Sequence, residues 1–477
     1  MASVINLKRN YIMIFTLIIA LPVLYSNSVN IVSFVDLRIM GGIGVFILSF
    51  CFKSWNDLKQ KLFSPYIVFL VTLSIFSFGQ SFLYTINYIS EERDLIGYAG
   101  ITINDIFYAQ SYTLVMITCF HIGALMSIKK SNYNTKKSLN VDYSLAIKKI
   151  GIILFIISII PFLYSLINDM IVSLTRGYGA LYEIEERVGL DNIFLIVANY
   201  FIPSYICLYV GFRKNVKVLR MLNIFAVVII IVIFITGGRT NGVILIATAI
   251  LIYNFIIKPL TKKQYVIILV LGIFLLSILS VISNTRSNSG RGIDSYTNNI
   301  EKGQNSALNT ICEMGGSMFC LIKTKDYVPN TEDYRYGKSY LFSFTTLIPN
   351  INFWKIHPAV KESDLNAWLT KKVDMGYGTG FSMVAESYIN FGWFGSIVML
   401  LMGYVFASFM NVSKIRNNDY AKFVFCMIIF WFTISTVRNS FISVVRGVCF
   451  FAWPIYAYII YYTKHHKTYG LNIRNRR

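Results

Sequence analysis

The chain has 477 residues, of which 55% are hydrophobic and 14% charged, where soluble domains average about a quarter charged. That composition excludes a soluble globular enzyme, a disordered chain and a disulfide scaffold. The net charge of +21 would point to nucleic acid in a soluble protein, but the cytoplasmic bias of Lys and Arg in membrane proteins produces it equally well.

A spanning helix needs about 20 mostly apolar residues. Twelve stretches qualify, at residues 11–26, 31–52, 64–84, 106–128, 150–168, 192–212, 221–236, 240–257, 264–283, 389–411, 420–437 and 443–463. The fold class is therefore an all-α polytopic membrane protein. The first stretch follows Lys8 and Arg9 but ends in no small-residue cleavage pattern, so it reads as a span rather than a signal peptide. The second carries Asp36 and Arg38 near its start. His121, inside the fourth, reads as a hydrogen-bonded packing residue.

Placing the N-terminus in the cytoplasm and alternating puts 26 basic and three acidic residues on the cytoplasmic side. The external side then carries 18 basic and 20 acidic residues. This asymmetry predicts both termini inside. It divides the chain into nine helices over 1–283, a long external loop over 284–388, three helices over 389–463 and a basic cytoplasmic tail over 464–477. A structureless loop of that length is unusual and often functional. Within it Leu308, Ile311, Cys312, Gly315, Met318, Phe319 and Ile322 recur at helical spacing, with Glu313 opposite. That predicts an amphipathic helix against the membrane or the span bundle. Cys312 and Cys320 are the only external cysteines, and their separation along a helix argues against a disulfide.

Phosphate-loop, HExxH, CxxC and GxSxG motifs are absent, which removes ATP-driven, zinc-protease and serine-hydrolase chemistry. With four histidines, two of them His465 and His466 in the tail, neither a metal site nor a cofactor is expected. No internal repeat stands out, which weakens an inverted-repeat transporter reading.

The cations differ by side. In the short external loops every basic residue is arginine: Arg38, Arg93, Arg176, Arg187, Arg239, Arg438 and Arg446. The positive-inside bias requires no such split, whereas a guanidinium fork matches phosphate in two-point fashion. Arg239 follows Gly237-Gly238 at an outer turn, Arg286 and Arg291 open the long loop, and Arg438 and Arg446 flank the last external turn. Together they read as an anion site. The alternatives are lipid headgroup contacts or pairing with Glu183, Glu185 and Glu186.

The entry to the tenth span runs Gly376-Tyr377-Gly378-Thr379-Gly380-Phe381-Ser382-Met383-Val384-Ala385-Glu386-Ser387-Tyr388-Ile389-Asn390-Phe391-Gly392. Thr379, between glycines, reads as an N-cap, turning a positive helix end outward. Ser382, Glu386 and Asn390 fall on one face at i, i+4 and i+8. A carboxylate one turn above an apolar span is costly unless paired or used. Glu386 therefore reads either as a general base or as an arginine partner. His357 is a second candidate base or sugar ligand. Asp364 and Trp368 lie at i and i+4, and Trp368 reads as a sugar-stacking ring or an interfacial anchor.

These residues carry a resemblance. Gly378-Thr379-Gly380-Phe381-Ser382 through Ala385-Glu386-Ser387-Tyr388-Ile389-Asn390-Phe391-Gly392 resembles the signature of the O-antigen polymerase (Wzy) family, the oligosaccharide repeat unit polymerases. Leu365-Asn366-Ala367-Trp368-Leu369-Thr370 and Gly237-Gly238-Arg239-Thr240 look family-like as well. The resemblance implies a membrane glycosyltransferase of bacterial surface polysaccharide synthesis, with a fold like other membrane transferases that use lipid-linked sugars. Its substrate would be an oligosaccharide on undecaprenyl diphosphate at the outer face of the cytoplasmic (inner) membrane. The growing chain would pass to the non-reducing end of a new lipid-linked repeat, without metal, with a chain-length co-polymerase as partner and no nucleic acid. On this reading Arg239, Arg286, Arg291, Arg438 and Arg446 hold the diphosphate. Glu386 or His357 serves the acceptor hydroxyl, and Thr379, Ser382, Tyr388, Asn390, Asp364 and Trp368 position substrate. The alternatives are a lipid-linked oligosaccharide flippase, disfavoured by spans nearly free of charge, and a ligase-type transferase with the same donor.

Overall fold

The computed structural model describes residues 2–91, 93–128, 142–181, 190–285, 307–348, 354–375, 378–412 and 419–474. Arg187, Arg286, Arg291, Gly376, Tyr377 and the Glu183–Glu186 stretch lie outside them. All regular elements among the described residues are helices. Twelve are long and apolar enough to cross a membrane: Ile5–Ser28, Phe34–Asp57, Pro65–Tyr84, Ile103–Ser127, Ser144–Arg176, Phe194–Gly211, Val216–Thr236, Thr240–Ile257, Lys262–Leu279, Met383–Met410, Tyr420–Val437 and Ile442–His465. They are called the first to twelfth spans. The protein is a multi-pass membrane protein.

The helices often outrun the apolar stretches because caps and polar ends extend them. Asp36, which seemed to blemish the second span, is its N-terminal device. Its carboxylate accepts from the Ser33 amide at 2.8 Å and the Ser33 hydroxyl at 2.6 Å, a capping box. The tenth span starts at Met383, six residues before its apolar run begins.

The chain forms two compact units. One comprises residues 1–133, 308–413 and 433–446. Its axis is the fourth span, whose apolar window is 94% buried. That burial explains why this span tolerates Gln110, Thr113, Thr118 and His121, all buried: polar groups inside a bundle face protein rather than lipid. His121 is held by Ser54 and Tyr66, each 2.8 Å from a ring nitrogen. The tenth span crosses the fourth backbone to backbone. A Cβ on Gly123 would lie 1.9 Å from the Leu400 carbonyl, and one on Gly403 1.9 Å from that of Phe120. Small residues at such crossings maximise dispersion where lipid supplies no hydrophobic drive.

Six helices of this unit are α1 Ala307–Gly315, α2 Phe319–Tyr327, α3 Lys338–Ser343, α4 Pro358–Ser363, α5 Leu365–Val373 and α6 Met383–Phe391, the last being the N-terminal part of the tenth span. A 3₁₀ turn, Gly316–Met318, joins α1 to α2. Gly315 of α1 lies against Gly79 and Gln80 of the third span, and the Gln80 side-chain Nε2 donates to the Cys312 carbonyl at 3.0 Å. Cys312 and Cys320 are both buried and unbridged, and burial pushes each thiol up to about 12. Lys325 of α2 pairs with Asp105 of the fourth span at 3.3 Å.

The second unit comprises residues 134–307, 414–432 and 447–477. Its fifth and sixth spans approach closely at Gly151 and Gly211. Ser173 donates to the Thr236 carbonyl at 2.6 Å, just before the Gly237-Gly238 turn, and Arg239 begins the helix that follows.

Candidate active site

The site in the first unit is built around α6. Its N-cap is Ser382, whose Oγ accepts from the Ala385 amide at 3.1 Å, and not Thr379. Residues 378–381 are not helical. Gly380 takes the left-handed φ of +71, and the Phe381 amide donates to the Arg438 carbonyl at 3.2 Å, so the helix does not begin before Ser382. Thr379 instead ties this stretch to α5: its amide donates to Thr370 Oγ1 at 3.1 Å. Ser382 turns its oxygen into its own helix rather than along the face of Glu386 and Asn390.

Glu386 is 0% exposed, and both its oxygens are engaged. Oε1 accepts from the Ser339 hydroxyl of α3 at 2.7 Å, and Oε2 accepts from the Phe441 amide at 2.6 Å. Asn390, one turn on, donates to Ser339 Oγ at 2.8 Å and accepts from the Gly337 amide at 3.0 Å. The last carbonyls of a helix lack partners inside it. Here those of Ile389 and Asn390 accept from the Arg335 and Tyr336 amides at 2.9 and 3.0 Å. One buried carboxylate thus joins three pieces of chain: α6, the 335–339 segment and the turn before the twelfth span.

Arg438 lies on that turn, and Arg446 ends the short helix Ile442–Arg446 that opens the twelfth span. Arg438 and Arg446 are both exposed, and neither makes an ion pair or a side-chain hydrogen bond among the described residues. Asp364 acts on Arg446 electrostatically, while its Oδ1 caps α5 through the Ala367 amide at 3.2 Å. By contrast Lys323, Lys325, Lys361 and Lys372 of the same unit are each paired with a carboxylate. Next to the turn, Tyr340 packs edge-on against Phe441 at 5.4 Å, and Asn366 donates to Asn439 at 3.2 Å. The Tyr340 hydroxyl, Ser363 Oγ, Asn366 Oδ1 and Ser440 Oγ are buried with no partner among the described residues. Buried polar atoms in that state mark places where water or a ligand completes the bonding.

Arg335 belongs to this group and sequence reasoning missed it. It donates to the Glu362 carbonyl at 2.7 Å and lies over the Trp368 ring, 5.5 Å from its centroid. Burial lowers its affinity for the proton, and the charges of Glu362, Glu332 and Glu386 oppose that shift. The signal was available, because Arg335 is the one arginine between residues 307 and 388.

The other candidates fall as follows. The Trp368 ring is partnered: its indole donates to Glu332 at 3.1 Å and packs against Phe381. Both His357 nitrogens are occupied, Nδ1 accepting from the Ala359 amide at 3.2 Å as the cap of α4 and Nε2 lying 3.0 Å from the Ile348 carbonyl. Tyr388, two residues past Glu386 and so on the other side of α6, meets the rings of Tyr108, Tyr112 and Tyr334. Arg239 belongs to the second unit. Among the described residues no group of three or more His, Cys, Asp or Glu is placed to hold a metal ion.

Fixed backbone, unpaired guanidinium groups and unsatisfied hydroxyl and amide groups suit an anionic, hydroxyl-rich ligand. A sequence model of the family O-antigen polysaccharide polymerase Wzy matches residues 9–468, nearly the whole chain. No curated protein and no solved structure matches it.

Proposed function

Because the chain belongs to the O-antigen polysaccharide polymerase Wzy family, we propose that it lengthens a surface polysaccharide using repeat units carried on undecaprenyl diphosphate. The acceptor is the non-reducing end of a new lipid-linked repeat. Its hydroxyl oxygen bonds to the anomeric carbon of the growing chain. The bond from that carbon to the diphosphate breaks, and undecaprenyl diphosphate leaves with the electron pair. The hydroxyl proton passes to the leaving phosphate or to water. The reaction is placed at the outer face of the cytoplasmic membrane, among membrane lipids, with a chain-length co-polymerase as the expected partner.

The observation that carries this reading is the pair Arg438 and Arg446, both exposed and without ion pairs among the described residues, the first on the turn pinned through Phe441 to Glu386 and the second in the helix that follows it. Guanidinium groups fixed where charge develops on a diphosphate stabilise its departure. The diphosphate is already a good leaving group, so positioning and electrostatics suffice and no ATP is needed. Arg335, Arg239, Arg286 and Arg291 are further candidates for that binding. Glu386 is a positioning residue in this scheme, since both its oxygens are committed to holding the turn. Asn390, Ser382, Thr379 and Asp364 serve the same scaffold, and Tyr388 and Trp368 supply rings to it.

The test is Arg438→Ala with Arg446→Ala in cells lacking the chromosomal copy. The expected outcome is loss of the polymer ladder with single-repeat product retained, at unchanged protein level. A flippase would lose both products, and a ligase would lose transfer to the terminal acceptor with lipid-linked polymer still made. A normal ladder from the double variant overturns the assignment of these arginines.

A further inference from the structure

The first unit contains a cavity of about 370 Å³ on the side of α6 opposite Glu386, within the size range of small-molecule sites. It lies between the first, fourth and tenth spans and is lined by Ser26, Asn27, Asn104, Tyr108, Ser111 and Trp393, among others. The chain enters this region coherently. The first span ends at Ser28, while the fourth begins at Ile103 and the tenth at Met383, so in alternating order these are the same ends of the three helices. Asn104, Tyr108 and Ser111 fall at i, i+4 and i+7, one face of the fourth span. Trp393 sits in the 3₁₀ break Gly392–Phe394, where the tenth span presents its ring.

The floor is locked and the mouth is not. Ser111 donates to the Pro22 carbonyl at 3.1 Å and lies 3.3 Å from Ser26 Oγ, which ties the first span to the fourth. Asn27 and Asn104 are exposed, and neither side chain has a partner among the described residues. Above the floor, Trp393 and Tyr108 meet edge to face at 5.8 Å. Tyr108 also meets Tyr388 of α6 at 6.4 Å, so the cavity wall is continuous with the helix that carries Glu386.

We propose that this cavity is a saccharide subsite, which holds one sugar of the repeat unit away from the reacting bond. Aromatic faces cover the apolar C–H side of a sugar ring, and free carboxamides at the rim offer both donors and acceptors to its hydroxyls. A polyprenyl chain would leave those carboxamides unsatisfied against hydrocarbon; a phosphate would find no cation among the lining residues, and the nearby Lys325, 4.9 Å from the Tyr108 ring centroid, is already paired with Asp105. The choice of a saccharide as ligand rests on the polymerase reading above.

Binding is measured by calorimetry on the purified full-length protein. The probe is the free single-repeat oligosaccharide, released by mild acid from cells lacking this chain, so that it carries neither lipid nor diphosphate. Wild-type protein should bind it saturably. Asn27→Ala and Asn104→Ala, on different spans and at exposed positions, should each weaken binding several-fold, and together by about tenfold or more, the loss of one to two hydrogen bonds. Trp393→Ala should weaken it comparably. Absence of wild-type binding, or wild-type affinity in the double variant or in Trp393→Ala, overturns the subsite. The polymer ladder of the arginine variants is read separately. Oligosaccharide binding with a normal ladder leaves the subsite standing and removes the arginine assignment, and the converse result removes the subsite alone.

Discussion

Replacing Glu386 by Gln separates a positioning role from a base. The carboxylate accepts from Ser339 at 2.7 Å and from Phe441 at 2.6 Å, and a carboxamide has one acceptor oxygen for these two donors. If Oε1 keeps the Phe441 amide, the new NH₂ faces Ser339, whose oxygen already accepts from Asn390 and whose proton loses its acceptor. The reverse orientation sets two N–H groups against each other at Phe441. Either way one charge-assisted bond in a buried site is lost, worth about 1.5–3 kcal/mol. At about 1.4 kcal/mol per tenfold, the equilibrium that holds the turn of Arg438 in place should shift roughly ten- to a hundredfold against it. Polymer synthesis by membranes, followed against pH and normalised to protein level, should fall by up to that factor with the shape of the pH profile unchanged. If Glu386 were the base, the acid limb of the wild-type profile would vanish in the variant. That result would refute the positioning argument, as would full activity at normal protein level.

Two further outcomes follow from the packing. Gly123→Ala sets a methyl group 1.9 Å from a backbone carbonyl of the tenth span, which no side-chain movement relieves. It should destabilise the purified protein by about 3 kcal/mol or more, and an unchanged thermal midpoint would contradict the crossing described. His357→Asn keeps a capping side chain for α4 while removing the imidazole, so polymer synthesis should persist. His357→Ala should lower stability by about 1 kcal/mol. Loss of polymer in the Asn variant at normal stability would return His357 to the chemistry.

The span count was legible in the sequence because about 20 apolar residues in a row are a local property that needs no partner. What escaped depended on partners distant in sequence. Thr379 and Ser382 are equally good caps in isolation, and Phe381 bonding to the Arg438 carbonyl decides between them. His357 reads as a free imidazole until its helix and the Ile348 carbonyl take both nitrogens. Arg335 was passed over because it sits deep inside the long segment, whereas the arginines singled out lie in the short loops or, like Arg286 and Arg291, at the start of the long one. Its place is set by the open carbonyls at the end of α6. Glu386 was found because an acid at the edge of an apolar run is conspicuous, but its two partners, 47 and 55 residues away, were not.

The contrast between lysines and arginines in the first unit bears directly on function. An ion pair already formed must be broken before a phosphate takes the cation, so paired cations make weak ligand sites. Lys323, Lys325, Lys361 and Lys372 are paired with carboxylates and fasten the long segment to itself and to the fourth span. Among the described residues Arg438 and Arg446 are not paired, yet the chain that carries them is held: the Arg438 carbonyl accepts from Phe381, Phe441 donates to a wholly buried Glu386, and Arg446 ends the short helix Ile442–Arg446. An immobile base removes only the backbone share of the freedom lost when an anion binds; the unpaired head still has its side-chain freedom to lose, but no ion pair to break. On the proposed reading the buried acid holds the chain that carries the exposed bases, so substitution of either should cost activity more than stability.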